Sequence, residues 1–367
     1  MTAVGPELAP LARSGPLTGV YDVALLDLDG VLYRGLEPVE HAADALRAAR
    51  AAGLRLGFVT NNAARPASAV AEALRQLGIE AQSDDVVTSA QAAAHLLAQR
   101  FAPGAPVLVV GGEGLRQACT EQGLRVVATA ADGPIAVAQG YAPDVGWREL
   151  AEATVAVREG SWWVATNLDA TLPSERGELP GNGSLVAVVA TAVGRGPDVV
   201  AGKPAAPLFA EAIERTAARR PLIVGDRLDT DIAGARARGL ASLLVLTGVA
   251  TARDLLVAPA AQRPTYVAAD LRGLIEEHPE VGEGTCGGWS ARVVDGELRL
   301  AGEGTDADAL RALASASWAA ADRQAGAPTA TRTAAPTGAP TVLDRAGAGQ
   351  PGPRISGPRE VLARLGL

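Results

Sequence analysis

Apolar and polar positions alternate along the chain in two rhythms. Residues 22–28 (Asp22-Val23-Ala24-Leu25-Leu26-Asp27-Leu28) are apolar almost without a break up to Asp27, the pattern of a strand covered on both faces in a parallel sheet. A helical spacing follows from Pro38, with Val39, Ala42, Ala43, Leu46 and Ala49 on one stripe and a stop near Gly53. Residues 54–59 read as a second strand closing on Thr60-Asn61-Asn62, and an alanine-rich helix over 66–77 stops at Gly78. The alternation returns after Pro204: a helix, a strand over 221–224 ending in Gly225-Asp226, a helix over 232–238 and a strand over 241–246. This pattern predicts a doubly wound, Rossmann-like α/β core with a parallel sheet, carried by residues 17–81 and 195–278.

Residues 82–194 interrupt that core. They hold their own strand candidates (106–110, 124–127, 135–138 and 162–165) and helices, enough for an inserted α/β domain. Past residue 280 the pattern changes. A hairpin over 282–299 with its turn at Asp295-Gly296, then a helix over 306–321, predict a small α+β extension over 280–322. Residues 323–357 are rich in Ala, Gly, Pro and Thr and read as a flexible linker, and 358–367 as a short helix docking through Val361, Leu362 and Leu365.

Composition narrows the partners. A net charge of -8 and a pI near 5.1 argue against a nucleic-acid partner, which favours a basic face. Cys119 and Cys286 lie far apart and outside any C-x-x-C spacing, so neither a disulfide framework nor a zinc site is indicated. With no signal-peptide pattern and no apolar run of ~18 residues, the expectation is a soluble cytoplasmic protein without a membrane partner; a homodimer is left open. One count changes the picture further: the chain has one lysine, Lys203, and thirty-two arginines. A compact ammonium on a flexible stem does work that a planar guanidinium cannot, which makes Lys203 a site candidate.

The other candidates end strands. Asp27 and Asp29 sit at the carboxyl edge of the first strand, where open parallel sheets place ligands. Paired carboxylates can divide attack or metal binding from proton handling, although D-x-D also occurs in plain turns. Thr60-Asn61-Asn62 offers an anion cradle or, equally, a helix cap. Gly225-Asp226 through Asp231 adds three carboxylates. Four or five acids at one sheet edge require a hard cation, and oxygen donors with scattered histidines select Mg²⁺.

In order, Asp27-x-Asp29-Gly30, Thr60-Asn61-Asn62, Gly202-Lys203-Pro204 and Gly225-Asp226 through Asp231 resemble the four motifs of the haloacid dehalogenase superfamily. The insertion between the second and third resembles the cap of its NagD-like and p-nitrophenylphosphatase-like branch, and the resemblance as a whole covers about residues 17–278. The resemblance implies Asp27 as nucleophile through an aspartyl-phosphate, Asp29 as general acid then base, and Thr60, Asn61, Asn62 and Lys203 around the phosphoryl oxygens. It implies Mg²⁺ held by Asp27, the Asp29 carbonyl and Asp226, with Asp231 orienting from behind. The expected partner is a small phosphorylated metabolite.

The cap segment carrying Asn167 and Asp169, with the loop through Arg176 to Asn182, is expected to read the leaving group. Asn and Asp there suit the hydroxyls of a polyol. The whole chain, extension included, looks like the glycerol-3-phosphate phosphatases of actinobacteria, which implies glycerol or glycerophospholipid turnover. Phosphoglycolate or pyridoxal phosphate is the rival substrate, with Arg176 serving a carboxylate; a phosphotransferase or a capped binding module is the rival class. The extension resembles a reduced acetyltransferase-type domain without an acetyl-CoA loop, and a supporting role is expected of it.

Overall fold

The computed structural model describes residues 9–35, 37–174, 176–326 and 353–367. The first core strand, Val23–Leu26, is buried throughout and lies at the centre of a six-stranded parallel sheet. It pairs on one side with Pro221–Gly225 and on the other with Arg55–Thr60. Alternate residues serve opposite layers, as a period of two requires: Ala24, Leu26 and Phe58 face one apolar cluster, Val23, Leu25 and Val59 the other. Ala241–Val245 and Tyr266–Ala268 extend the sheet past Pro221–Gly225. The central strand therefore has later strands on one flank and earlier ones on the other, which opens a crevice at its carboxyl end.

The inserted domain is a second five-stranded parallel sheet, ordered Val199–Val200, Trp162–Ala165, Ala136–Gln139, Pro106–Val110, Arg125–Val127. One face packs Leu108, Val137 and Trp163 beneath helices Trp147–Arg158 and Asn182–Val193. The other face contributes Val107, Val109, Ala138 and Val164 to the cluster that also holds Leu25 and Val59, so the two sheets share a core.

Two boundaries differ from expectation. Val86–Thr88 belongs to the core sheet, at the edge beside Arg55–Thr60, although it lies within 82–194. Val199–Val200 belongs to the inserted sheet, although it lies past 194. Both are two or three residues long and take their place from pairing rather than from any periodicity of their own. A hairpin, Thr171–Ser174 with Gly177–Pro180, also went unread, because Thr-Leu-Pro-Ser carries no strand pattern.

Past residue 280, short strands Val281–Gly282 and Thr285–Cys286 precede the hairpin Trp289–Val294 and Glu297–Gly302, whose turn is Asp295-Gly296 as read. Both turn residues have positive φ, 49° and 76°, the geometry that favours Asp-Gly. The helix over Asp306–Gly326 outruns the expected end at 321. Arg354–Ser356 forms a strand parallel to Glu297–Gly302. The linker expected over 323–357 is thus helix at its start and strand near its end, and its middle, 327–352, lies outside the described residues. Helix Arg359–Arg364 buries Val361 and Leu362. No helix among the described residues is long and apolar enough to cross a membrane.

Candidate active site

Asp27 follows the central strand directly, with its N–H donated to the Val224 carbonyl at 2.8 Å, so the ladder to the neighbouring strand fixes its backbone. Lys203, 4% exposed, reaches it from the loop before helix Ala206–Thr216. The Nζ atom lies 2.5 Å from Asp27 Oδ1 and 2.7 Å from Asp231 Oδ1. Burial alone would depress the ammonium, but the carboxylates of Asp231 and Asp27 overcome that and hold it above the ordinary lysine range.

Asp226 closes Pro221–Gly225 and is fully buried. Its Oδ2 accepts from the Val249 N–H at 2.6 Å, while Oδ1 is buried with no hydrogen-bond partner. A Cβ added at Gly248 would lie 1.9 Å from that Oδ2, so only glycine lets the loop close on the carboxylate. Asp27, Asp226 and Asp231 each bring an oxygen within 4.8 Å of the others. Burial, then repulsion from Asp27 and Asp231, pushes Asp226 up to about 7. Burial, resisted by Lys203, pushes Asp231 up to about 6. One ammonium does not balance three acids at this distance. An orphaned buried carboxylate oxygen beside two others is a donor set fitted to a hard divalent cation.

Asp29 lines the same cavity. Burial raises its carboxyl above the usual range, against the pull of Lys203 and Arg65. Thr60 Oγ1 accepts from the Asn62 N–H at 3.0 Å, which leaves its own proton to donate into the cavity. Asn62 lines the wall with its Oδ1 on the Ala64 N–H at 2.9 Å. Asn61 also lines it, but its amide is held by Lys203 and Asp169.

From the inserted domain come Asn167, Asp169 and Asn182, which line a cavity of about 460 Å³. Two expected participants stay out. Asp229 forms a paired contact with Arg227, at 3.1 and 2.9 Å, instead of joining the acidic cluster, because the wide turn Leu228–Ile232 directs it elsewhere. Arg176 is exposed at the hairpin turn and is no part of the cavity wall. Wall residues not foreseen include Arg34, Tyr141, Leu172, Arg227 and Val249. Val249 could have been found, since the loop after Ala241–Val245 leaves the same sheet edge as Asp27 and Asp226. Arg34 donates to the Thr247 carbonyl, and Thr247 Oγ1 donates to the Gly30 carbonyl at 2.6 Å, so this loop is tied down from both sides.

Comparison with known proteins shows the family. Residues 24–125 match the haloacid dehalogenase-like hydrolase family, and 200–274 match a second model of that hydrolase type. The D-glycerol 3-phosphate phosphatase of Mycobacterium tuberculosis is 48% identical over 310 residues, 82% of this chain and 86% of that protein. The chain belongs to the haloacid dehalogenase-like hydrolases. A crystal structure of glycerol phosphate phosphatase from M. tuberculosis in complex with magnesium resembles this hydrolase with a TM-score of 0.82 at 42% identity, covering 96% of this chain and 99% of that one. The acid sugar phosphatase of Staphylococcus saprophyticus is 37% identical over 70% of this hydrolase and 98% of its own length. Residues 286–347 match a GCN5-related N-acetyltransferase-like domain.

Proposed function

We propose that this hydrolase is a Mg²⁺-dependent phosphatase that cleaves a small phosphate monoester, glycerol 3-phosphate, through an aspartyl-phosphate on Asp27. The observation that carries the reading is the buried Lys203 ammonium between Asp27 and Asp231, beside an Asp226 oxygen with no partner. Asp27, Asp226 and the Asp29 carbonyl would hold the ion, with Asp231 fixed behind them by Lys203. When bound, Mg²⁺ offsets the repulsion between a phosphate dianion and the attacking carboxylate.

The chain's own groups account for the rest. Asp27 attacks phosphorus as the bond to the ester oxygen breaks, and Asp29 gives its proton to the departing alkoxide. Asp29 then takes a proton from water, whose oxygen attacks the phosphoryl group and frees Asp27. An acid that acts in both directions works best with a raised carboxyl, and burial supplies that at Asp29. Lys203 and the Thr60 hydroxyl neutralise and hold the phosphoryl oxygens.

Glycerol 3-phosphate is favoured over phosphoglycolate by the wall of the inserted domain, which sets the Asp169 carboxylate on the cavity and leaves Arg176 outside it. The reading carries with it a cytoplasmic setting and a place in glycerol or glycerophospholipid turnover. The test is phosphate release with Mg²⁺ from glycerol 3-phosphate, phosphoglycolate and pyridoxal phosphate. Glycerol 3-phosphate should give the highest kcat/KM; negligible turnover of it would remove this substrate.

The acidic cluster also predicts a pH dependence. Asp226 and Asp231 have folded values of about 7 and about 6, above the 3.8 of a free aspartate. Raised carboxyls are protonated more readily in the folded state, so without metal their contribution to stability falls as pH rises from near 4 to near 7. A cation that replaces those protons reverses the sign. The rise in melting temperature on adding Mg²⁺ should therefore be larger near pH 8 than near pH 5, as measured by scanning fluorimetry.

A further inference from the structure

Asn61 joins the inserted domain to the backbone of the lysine, beside the direct link from the Ala201 N–H to the Ala165 carbonyl at 2.9 Å. Its Oδ1 accepts from the Lys203 N–H at 2.7 Å, and its Nδ2 donates to the Lys203 carbonyl at 3.1 Å and to Asp169 Oδ2 at 3.0 Å. Its main-chain carbonyl accepts from Ser89 Oγ at 2.6 Å and from Asn167 Nδ2 at 2.8 Å. A primary amide has two N–H donors, and both are used. The side chain has no donor left for a phosphoryl oxygen.

The contacts fall into two sets. Asn167 and Asp169 lie just past Trp162–Ala165 of the inserted sheet, and Asn167 is itself anchored, its carbonyl accepting from Asn182 Nδ2 at 2.8 Å and its Oδ1 from the Asp169 N–H at 3.1 Å. Lys203 lies on the return to the core sheet. The close fit is written into the sequence at Gly202, where an added Cβ would come within 2.5 Å of both Asn61 Oδ1 and the Thr166 carbonyl. Any displacement of the inserted domain from Asn61 would break the Asp169 and Asn167 bonds to the residue that fixes the Lys203 backbone.

We propose that Asn61 is a positioning residue that makes closure of the inserted domain and placement of the Lys203 ammonium a single event, rather than a side-chain ligand of the phosphate. This rests on the phosphatase reading and adds to it a reason for the cap segment Asn167 to Asp169 to sit where it does. It assigns Asp169 a role with no need of direct contact to substrate.

The experiment uses the full chain with Mg²⁺ and p-nitrophenyl phosphate, so that it does not depend on the natural ester. Asn61→Ala should lower kcat ~10²-fold, weaken inhibition by inorganic phosphate, since the displaced Lys203 also holds the phosphoryl oxygens, and raise hydrogen exchange in the segments 166–170 and 201–204. Asp169→Ala should loosen the same two segments, and Asp169→Asn, which keeps an acceptor for Asn61, should recover most of the loss. The double variant Asn61→Ala/Asp169→Ala should be no worse than Asn61→Ala alone. The proposal fails if Asn61→Ala weakens inorganic phosphate tenfold or more with exchange unchanged, since that is the signature of a phosphate ligand. It fails equally if Asp169→Ala leaves segment 201–204 as protected as in wild type, a result that stands even if Asn61→Ala does not fold. Absence of any ester hydrolysis by wild type would instead overturn the phosphatase reading, with the exchange data still deciding the coupling.

Discussion

Asp27→Asn should abolish phosphate release, by ~10⁴-fold or more, in a protein that is folded and no less stable than wild type without metal. The side chains have the same shape, but an amide has no anionic oxygen to attack phosphorus and none to carry the phosphoryl group. Stability moves the other way for an electrostatic reason. Three carboxylates crowd within 4.8 Å, and Asp27 is a cause of the raised values at both Asp226 and Asp231. Removing its charge relieves that repulsion, and Lys203 keeps its partner Asp231 at 2.7 Å. The melting temperature without Mg²⁺ should hold or rise, while the shift produced by Mg²⁺ should largely vanish. Measuring both separates loss of chemistry from loss of fold. If the variant keeps more than about a hundredth of wild-type turnover, the nucleophile lies elsewhere.

The legible parts of this chain are those where one local signal settles the matter. Val23–Leu26 was readable because a strand covered on both faces is apolar at every position, and the acid that ends it has no place in a core. Lys203 stood out because the chain uses arginine everywhere else. Val86–Thr88 was not readable, since three residues after the acidic turn Ser83–Asp85 gain their identity from Arg55–Thr60 alongside. Asp229 and Asp231 look alike in sequence, yet one pairs with Arg227 and the other with Lys203, a choice made by the turn Leu228–Ile232. Arg34 and Tyr141 meet the cavity only when a core loop and the inserted domain come together, and no spacing in the chain encodes that.

Ending the chain before Glu280 should leave a protein that is insoluble or melts at least about 10 °C lower, although shorter relatives match almost end to end without such an extension. Here the extension packs directly against the core. Leu244, Leu255, Leu256 and Val267 share one apolar cluster with Trp289, Leu310, Leu313 and Trp318 of the extension. Exposing buried side chains of this size costs roughly 1.5–3 kcal/mol each, and a few of them consume the ~5–15 kcal/mol of a typical fold. Polar groups are stranded as well. Trp318 Nε1 and Ser317 Oγ donate to the carbonyls of Leu255 and Leu256 at 2.9 and 2.7 Å, closing the end of a five-residue helix, Ala252–Leu256, too short to stand alone. Asp322 pairs with Arg263 through two bonds, at 2.7 and 2.8 Å. That short helix begins just after the loop whose Val249 N–H holds Asp226, so the damage should reach the site. Trp318→Ala is the milder probe: it should cost ~3–5 kcal/mol and weaken Mg²⁺ binding, measured by urea unfolding and by metal titration. A truncated chain that keeps both melting temperature and turnover would show that the extension only rests on the core and does not support it.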